Sequence, residues 1–277
     1  MGAPGGPGPS TGVRSRPWEA SNLVRGSHGP FNSAPCTRKV SVTVETAART
    51  APAAVIVAID GPAGTGKSST SKAVAAKLGL GYLDTGAQYR AITWWMVTNG
   101  IDIDDAVAVA DAAAKPHIVS GIDPAAPTIS VDGTDVSGPI RTQEVTSRVS
   151  AVSAVPEVRA VITELQRTIA AEAPRGIVVE GRDIGTTVLP DADLKIFLTA
   201  SPEVRAARRS GELKGKEAAD LAATQAALAK RDALDSGRKT SPLAKADDAV
   251  EVDTSELTLD QVIECVVTLV EEKRTVA

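Results

Sequence analysis

Between Gly61 and Ser68 the chain reads GPAGTGKS: three glycines, then a lysine and a hydroxyl. The spacing is G-x-x-x-x-G-K-[ST], with an aliphatic run before it and a helical pattern after it. Glycines at these places let successive N–H groups converge on phosphate oxygens where a Cβ would obstruct the loop. The helix that follows adds the positive end of its dipole. The backbone of Gly61, Pro62, Ala63, Gly64, Thr65, Gly66, Lys67, Ser68 and Ser69 would cradle a nucleoside triphosphate, with ATP the expected co-substrate. Lys67 would reach the β- and γ-phosphates, and the Ser68 hydroxyl would be a ligand for Mg²⁺. A Gly-rich turn that merely opens a helix leaves the Lys-Ser pair unexplained.

A triphosphate cradle fits a kinase, a switch or a motor. Guanine-reading switches use Asn-Lys-x-Asp, and the asparagines here, Asn22, Asn32 and Asn99, are not followed by lysine. A kinase needs cations on the acceptor side, because phosphoryl transfer is mostly positioning and charge stabilisation. Three stretches supply them. LDTGAQYR carries Thr85 and Arg90, VVEGRDIG carries Arg182 and Asp183, and KRDALDSGRKTSPL carries Arg231, Asp232, Asp235 and Arg238. The first two follow apolar runs, as expected at the carboxyl ends of parallel strands, where open α/β sheets bind ligands. The third lies between a helix and the last strand. Glu180 ends an apolar strand and Asp60 precedes the cradle; each fits a metal-side acid or a structural one.

These residues need strands that end side by side. Short aliphatic runs at Ala54–Ile59, Gly176–Glu180 and Leu194–Leu198 read as strands, the first as a buried parallel one, with further short strands around Tyr82–Leu83 and at Val250–Val252; alternating with helices, they imply a parallel sheet. Helical patterns alternate with them at Lys67–Leu78, Ala87–Asn99, Asp104–Ala114, Gln143–Ser153, Pro156–Glu172, Pro202–Ser210 and Glu217–Leu234. Ser201-Pro202 is an N-cap followed by proline at the first helical position. Leu259, Val262, Ile263, Val266 and Val270 form one apolar stripe of a last helix. Residues 117–138 break the rhythm with β-branched pieces separated by turn signals, and read as a small antiparallel insert. The fold class is α/β: a P-loop NTPase-type parallel sheet with helices on both faces.

Composition agrees. Hydrophobic residues make up 43 % and charged residues 23 % of 277 positions, enough for a sizeable core. Aromatics are only 3 %, so that core must be aliphatic. Residues 1–53, rich in Gly, Pro, Ser and Arg, read as a disordered extension outside the fold. The net charge of −4 and the sparse basic residues speak against nucleic acid as partner. Cys36 and Cys265 are too few and too far apart for a disulfide framework, and two histidines offer no zinc cluster. No run approaches the roughly 18 apolar residues of a membrane span. A cytoplasmic monomer is the expectation.

From about Ala54 to Arg274 the chain resembles the bacterial cytidylate kinases, a branch of the nucleoside monophosphate kinases. The resemblance rests on IDGPAGTGKS, YLDTGAQYRA, DVSGPIRTQEVTSRVSAVSAVPEVR, VVEGRDIGTTVLPDADLKIFLTAS, RAARR and RDALDSGRKTSPL. It implies a kinase domain over 54–277, with a monophosphate-binding region near 86–173 and a short lid near 204–218. It implies CMP and dCMP as acceptors. Arg90 and Arg182 would hold the acceptor phosphate. Ser150, Arg159 and Asp183 would line the cytosine pocket, Asp235 and Arg238 would contact the ribose, and Thr85 would lie beside the acceptor. Lys67, Arg182, Arg208 and Arg209 would be catalytic, with Arg205 as a further lid arginine and Arg231 in the charge clamp. Cytosine offers an N4 amino donor beside N3 and O2 acceptors, so a carboxylate and an arginine complement it and mismatch uracil. Another small-molecule P-loop kinase, acting on UMP, shikimate or dephospho-coenzyme A, is the near alternative; a non-catalytic nucleotide-binding regulator is the far one.

Overall fold

A computed structural model of the protein describes Gly2 and residues 54–212 and 220–276. The expected disordered extension and the tip of the expected lid, residues 213–218, lie outside the described residues, Gly2 apart.

The central sheet has five parallel strands in the order β2-β6-β1-β7-β8. They are β1 (Val55–Asp60), β2 (Gly81–Asp84), β6 (Gly176–Glu180), β7 (Leu194–Thr199) and β8 (Val250–Asp253). The order explains the aliphatic sequence of β1: as the middle strand it is covered on both faces. Val55, Val57 and Ile59 face one way, into a cluster with Val178, Ile196 and Leu198. Val74 of α1 (Lys67–Leu78) and Val262, Val266 and Val270 of α8 (Leu259–Val276) close that side. Ile56 and Ala58 face the other way, against Ile177, Val179 and Ala170 of α5 (Pro156–Glu172). The apolar stripe of the last helix thus covers one core layer from Val262 onward, while Leu259 at its start is exposed. Gly176 fixes the register at the start of β6: its φ is 89°, and a Cβ there would lie 2.1 Å from the Val55 carbonyl oxygen.

The 117–138 insert forms the expected antiparallel sheet, with β3 (Ile118–Ser120), β4 (Ile129–Val131) and β5 (Thr134–Asp135) in sequence order. It shares a second core with α2 (Thr85–Thr98), α3 (Ala106–Ala112), α4 (Gln143–Val152) and α5. Ile92, Met96, Val109, Val131, Val149 and Ile162 are buried there. The insert is joined to the edge of the main sheet where Tyr82 N–H donates to the Ile122 carbonyl at 2.9 Å.

Three local differences from the sequence reading bear on the site. Helix α2 begins at Thr85 rather than Ala87, because the Asp84 carboxylate accepts from Ala87 N–H at 2.9 Å and caps it. Residues 184–188 form a π-helical turn that periodicity did not reveal; both Asp60 oxygens accept its first N–H groups, from Ile184 at 2.9 Å and Gly185 at 2.8 Å. Helix α7 (Leu221–Ser236) runs two residues further than expected. Asp235 therefore joins Arg231 and Asp232 on the helix, and of the four only Arg238 follows it. Helix α6 (Pro202–Glu212) begins as read, with Ser201 Oγ accepting from Val204 N–H at 3.3 Å.

Candidate active site

The carboxyl ends of β1, β2 and β6 open into a cleft of about 340 Å³, closed by α2, α4, α6 and α7. Nearly half of its lining residues are charged. The loop from Gly61 to Gly66 forms one wall. Gly61 and Gly64 have φ of 145° and 80°, and Gly66, at φ 90°, is the N-cap of α1. At Gly61 a Cβ would lie 2.1 Å from the Leu198 carbonyl oxygen, so the loop hugs β7 as only glycine allows. Lys67 bends back and donates from Nζ to the Pro62 carbonyl at 2.7 Å. Burial, and then the nearby Arg182, push its pKa well below the usual lysine value. An ammonium held this way stabilises any negative charge that enters the loop.

Acids stand opposite. Glu180, at the end of β6, is buried and accepts from Tyr82 OH at 2.5 Å. Burial and the Asp84 carboxylate lift it to about 7, against the pull of Tyr82, Lys67 and Ser68. Thr85 Oγ1 donates to the Glu180 carbonyl at 2.6 Å, tying the start of α2 to the end of β6. Asp60, lifted to about 6 chiefly by burial, lies behind this wall and supports the 184–188 turn. Among the described residues no cluster of three or more His, Cys, Asp or Glu forms a ready-made metal cage. Ser68, Asp84 and Glu180 nevertheless line the same cleft. Their hard oxygens match Mg²⁺, which takes one or two carboxylates and completes its shell with water and phosphate.

Cations fill the rest. Arg90, Arg182, Arg209, Arg231 and Arg238 all line the cleft. Asp235 organises three of them: Arg238 Nη2 lies 2.8 Å away, Arg182 Nε 3.1 Å and Arg231 Nε 4.0 Å. One carboxylate cannot neutralise so many. Burial, then Arg182 and Arg90, bring Arg231 down to about 10, and Arg90 is lowered by burial first. The Nε atoms of Arg90, Arg231 and Arg238 are buried without a hydrogen-bond partner.

Deeper lies an ion pair between Arg159 of α5 and Asp183, whose side chains are 3 % and 6 % exposed. Arg159 also donates to the Ser153 carbonyl at 3.3 Å and covers the Tyr89 ring at 5.3 Å. Burial raises the Asp183 pKa and Arg159 opposes it. Asp183 reaches the cleft wall, whereas Arg159 stands behind it.

Of the residues singled out from the sequence, Ala63, Gly64, Gly66, Lys67, Ser68, Ser69, Thr85, Arg90, Ser150, Arg182, Asp183, Arg209, Asp235 and Arg238 meet on this one cleft. Gly61, Pro62 and Thr65 shape the loop from behind. Arg208 is not brought to the wall: it donates to Thr254 Oγ1 at 2.8 Å, the Thr254 carbonyl at 2.7 Å and the Thr65 carbonyl at 3.4 Å. Arg205 pairs with Asp232 instead of facing the cleft. Sequence reasoning assigned no role to Asp84, Tyr89, Arg141 or Ser153, which also line it. Asp84 and Tyr89 belong to LDTGAQYR, so the signal for them was the stretch that exposed Arg90. Arg141 ends the short 3-10 turn Pro139–Arg141, within the DVSGPIRTQEVTSRVSAVSAVPEVR stretch, and Ser153 lies further along the same stretch, so the signal for both was there.

The cytidylate kinase family pattern matches residues 57–272. A cytidylate kinase of Streptomyces griseus is 79 % identical over 238 residues, covering 86 % of this chain and 100 % of that protein. One from Streptomyces coelicolor is 84 % identical over 228 residues, 82 % of this chain and 97 % of its own. One from Nocardia farcinica is 54 % identical over 211 residues, 76 % of this chain and 90 % of its own.

Proposed function

This chain belongs to the cytidylate kinase family, and we propose that its cleft performs that reaction with the residues described above. The γ-phosphoryl group of ATP passes to a phosphate oxygen of CMP or dCMP, giving ADP and CDP or dCDP, a step of pyrimidine nucleotide metabolism. The observation that carries the reading is the arginine set organised by Asp235, which lines the same cleft as Lys67.

The donor triphosphate lies along residues 61–69, where the N-terminus of α1 and Lys67 meet its phosphates. Arg90 and Arg182 hold the acceptor phosphate, Arg238 and Asp235 the ribose side, and Asp183 with Ser150 the cytosine. Arg159 orients Asp183 from behind. The acceptor oxygen attacks the γ-phosphorus in line, the bond to the β-phosphate oxygen breaks, and the charge spread over the moving group is met by Lys67, Arg182, Arg209 and Arg231. Ser68, with Glu180 or Asp84 nearby, would hold Mg²⁺, which supplies charge neutralisation of the phosphates when bound. Thr85 fixes α2 against β6 and so sets the height of Arg90.

No helix among the described residues is long and apolar enough to cross a membrane. A bisubstrate analogue joining cytidine to adenosine through a polyphosphate tests the shared cleft. It is expected to bind far more tightly than AMP-PNP or CMP alone. Affinity no better than that of the single nucleotides would refute a common cleft.

A further inference from the structure

Asp232 and Arg205 take no part in the chemistry above, yet they grip the donor loop. Asp232, on α7, accepts through Oδ1 from Ala63 N–H at 3.1 Å. Its Oδ2 pairs with Arg205 Nη1 of α6. The same Nη1 donates to the Ala63 carbonyl at 3.3 Å. The peptide units on either side of Ala63 are therefore held, one by α7 and one by α6. The contact tightens at the next residue, where a Cβ on Gly64 would lie 2.9 Å from the Arg205 carbonyl oxygen and 3.1 Å from its Cβ. The Arg205 and Asp232 side chains are 12 % and 16 % exposed, so water screens the pair little.

Asp232 precedes Asp235 by three residues, about 4.5 Å along the same helix. Asp235 holds Arg182 and Arg238 on the acceptor side. A helix moves as a body over one turn. A shift of α7 that moves Asp235 with an incoming monophosphate would carry Asp232, and with it the Ala63 peptide. Arg182 supplies a parallel link, because its Nη1 donates to the Gly61 carbonyl at 3.1 Å.

We propose that Asp232, with Arg205, is a positioning residue that couples the two halves of the cleft, so that a nucleoside monophosphate on the α7 side and a nucleoside triphosphate on residues 61–68 change each other's affinity. The proposal rests on the donor and acceptor sides assigned above. Such coupling is reciprocal by thermodynamic linkage.

The test is calorimetric titration of AMP-PNP with Mg²⁺, with and without saturating CMP, and of CMP with and without AMP-PNP. For the unaltered protein a common factor of roughly 5–50 is expected in both orders. Asp232→Ala should cut that factor to about twofold or less, with CMP affinity alone nearly unchanged. Asp232→Asn keeps an oxygen for Ala63 N–H and should restore part of the coupling. Arg205→Ala removes the pair from the α6 side and should act like Asp232→Ala, which keeps the test open if Asp232→Ala does not fold. Full coupling in Asp232→Ala and Arg205→Ala would overturn the proposal and leave the site assignment standing, as would a factor of one in the unaltered protein. Failure of the unaltered protein to bind either nucleotide alone would overturn the site assignment and the proposal with it.

Discussion

Arg182 at the end of β6 donates from Nε to Asp235 Oδ2 at 3.1 Å and from Nη1 to the Gly61 carbonyl at 3.1 Å. One guanidinium thus bridges α7 and the loop that opens at Gly61. Arg182→Ala should lower kcat/KM about 100-fold or more, the usual cost of losing a preorganised donor to a transition state. Asp235→Ala should also be severe. Because the two side chains touch, their losses should not add: a double-mutant cycle should leave an interaction of about 0.5–3 kcal/mol. Strict additivity would mean that the pair seen here is not used in turnover.

Arg159 is buried against Asp183 and reaches the cleft only through it. Arg159→Ala should raise KM for CMP about tenfold or more while KM for ATP moves little. It also leaves Asp183 uncompensated in a dry site, so stability should fall by about 3–5 kcal/mol. Steady-state kinetics and urea unfolding on the same preparation separate the effects. Equal rises in both KM values would remove Arg159 from the cytosine side.

Lys67 presents the reverse combination. Its ammonium is buried, and burial lowers its pKa, so the charge costs stability in the free protein. Lys67→Met should reduce kcat by about 100-fold or more. The unfolding midpoint should stay level or rise. A variant that is both inactive and clearly destabilised would show Lys67 to be structural.

Asp60 makes stability depend on pH. Burial lifts its carboxyl from 3.8 to about 6, with Asp183 adding to the rise while Lys67 and the Ile184 and Gly185 N–H groups oppose it. Between those values the folded chain keeps a proton that the unfolded chain has lost. The stability that this group supplies is full below about pH 4 and fades as pH rises through 6. Asp60→Asn turns an amide donor toward an N–H and should destabilise at both ends of the range. The penalty should be larger at pH 4.5 than at pH 7.5, by on the order of 2 kcal/mol. Urea unfolding at the two pH values reads the difference, and equal penalties would contradict the buried-acid account.

Much of this was legible in the chain. Aliphatic runs marked β1, β6 and β7 because those strands are buried along most of their length, whereas the edge strand β8 buries only Val252; glycines with lysine and serine marked the loop because few other sequences make that turn. What periodicity could not show was made by single long-range bonds. The π-helical turn after Asp183 exists because Asp60, on another strand, accepts its first N–H groups. The extra length of α7 hid the fact that Asp232 and Asp235 share a helix face. RAARR offered three arginines with equal claims, and only packing separates Arg209 on the cleft from Arg205 on Asp232 and Arg208 on Thr254.

The most direct measurement is acceptor-dependent ADP release from ATP and Mg²⁺, with CMP, dCMP, UMP, AMP, GMP and shikimate offered one at a time. Turnover should be strongest with CMP or dCMP and fall steeply with UMP, whose O4 and N3–H mismatch Asp183 and the arginine behind it. Turnover strongest with UMP, a purine monophosphate or shikimate would contradict the cytosine reading of Ser150, Arg159 and Asp183, and well-folded protein that releases ADP with none of them would contradict the kinase.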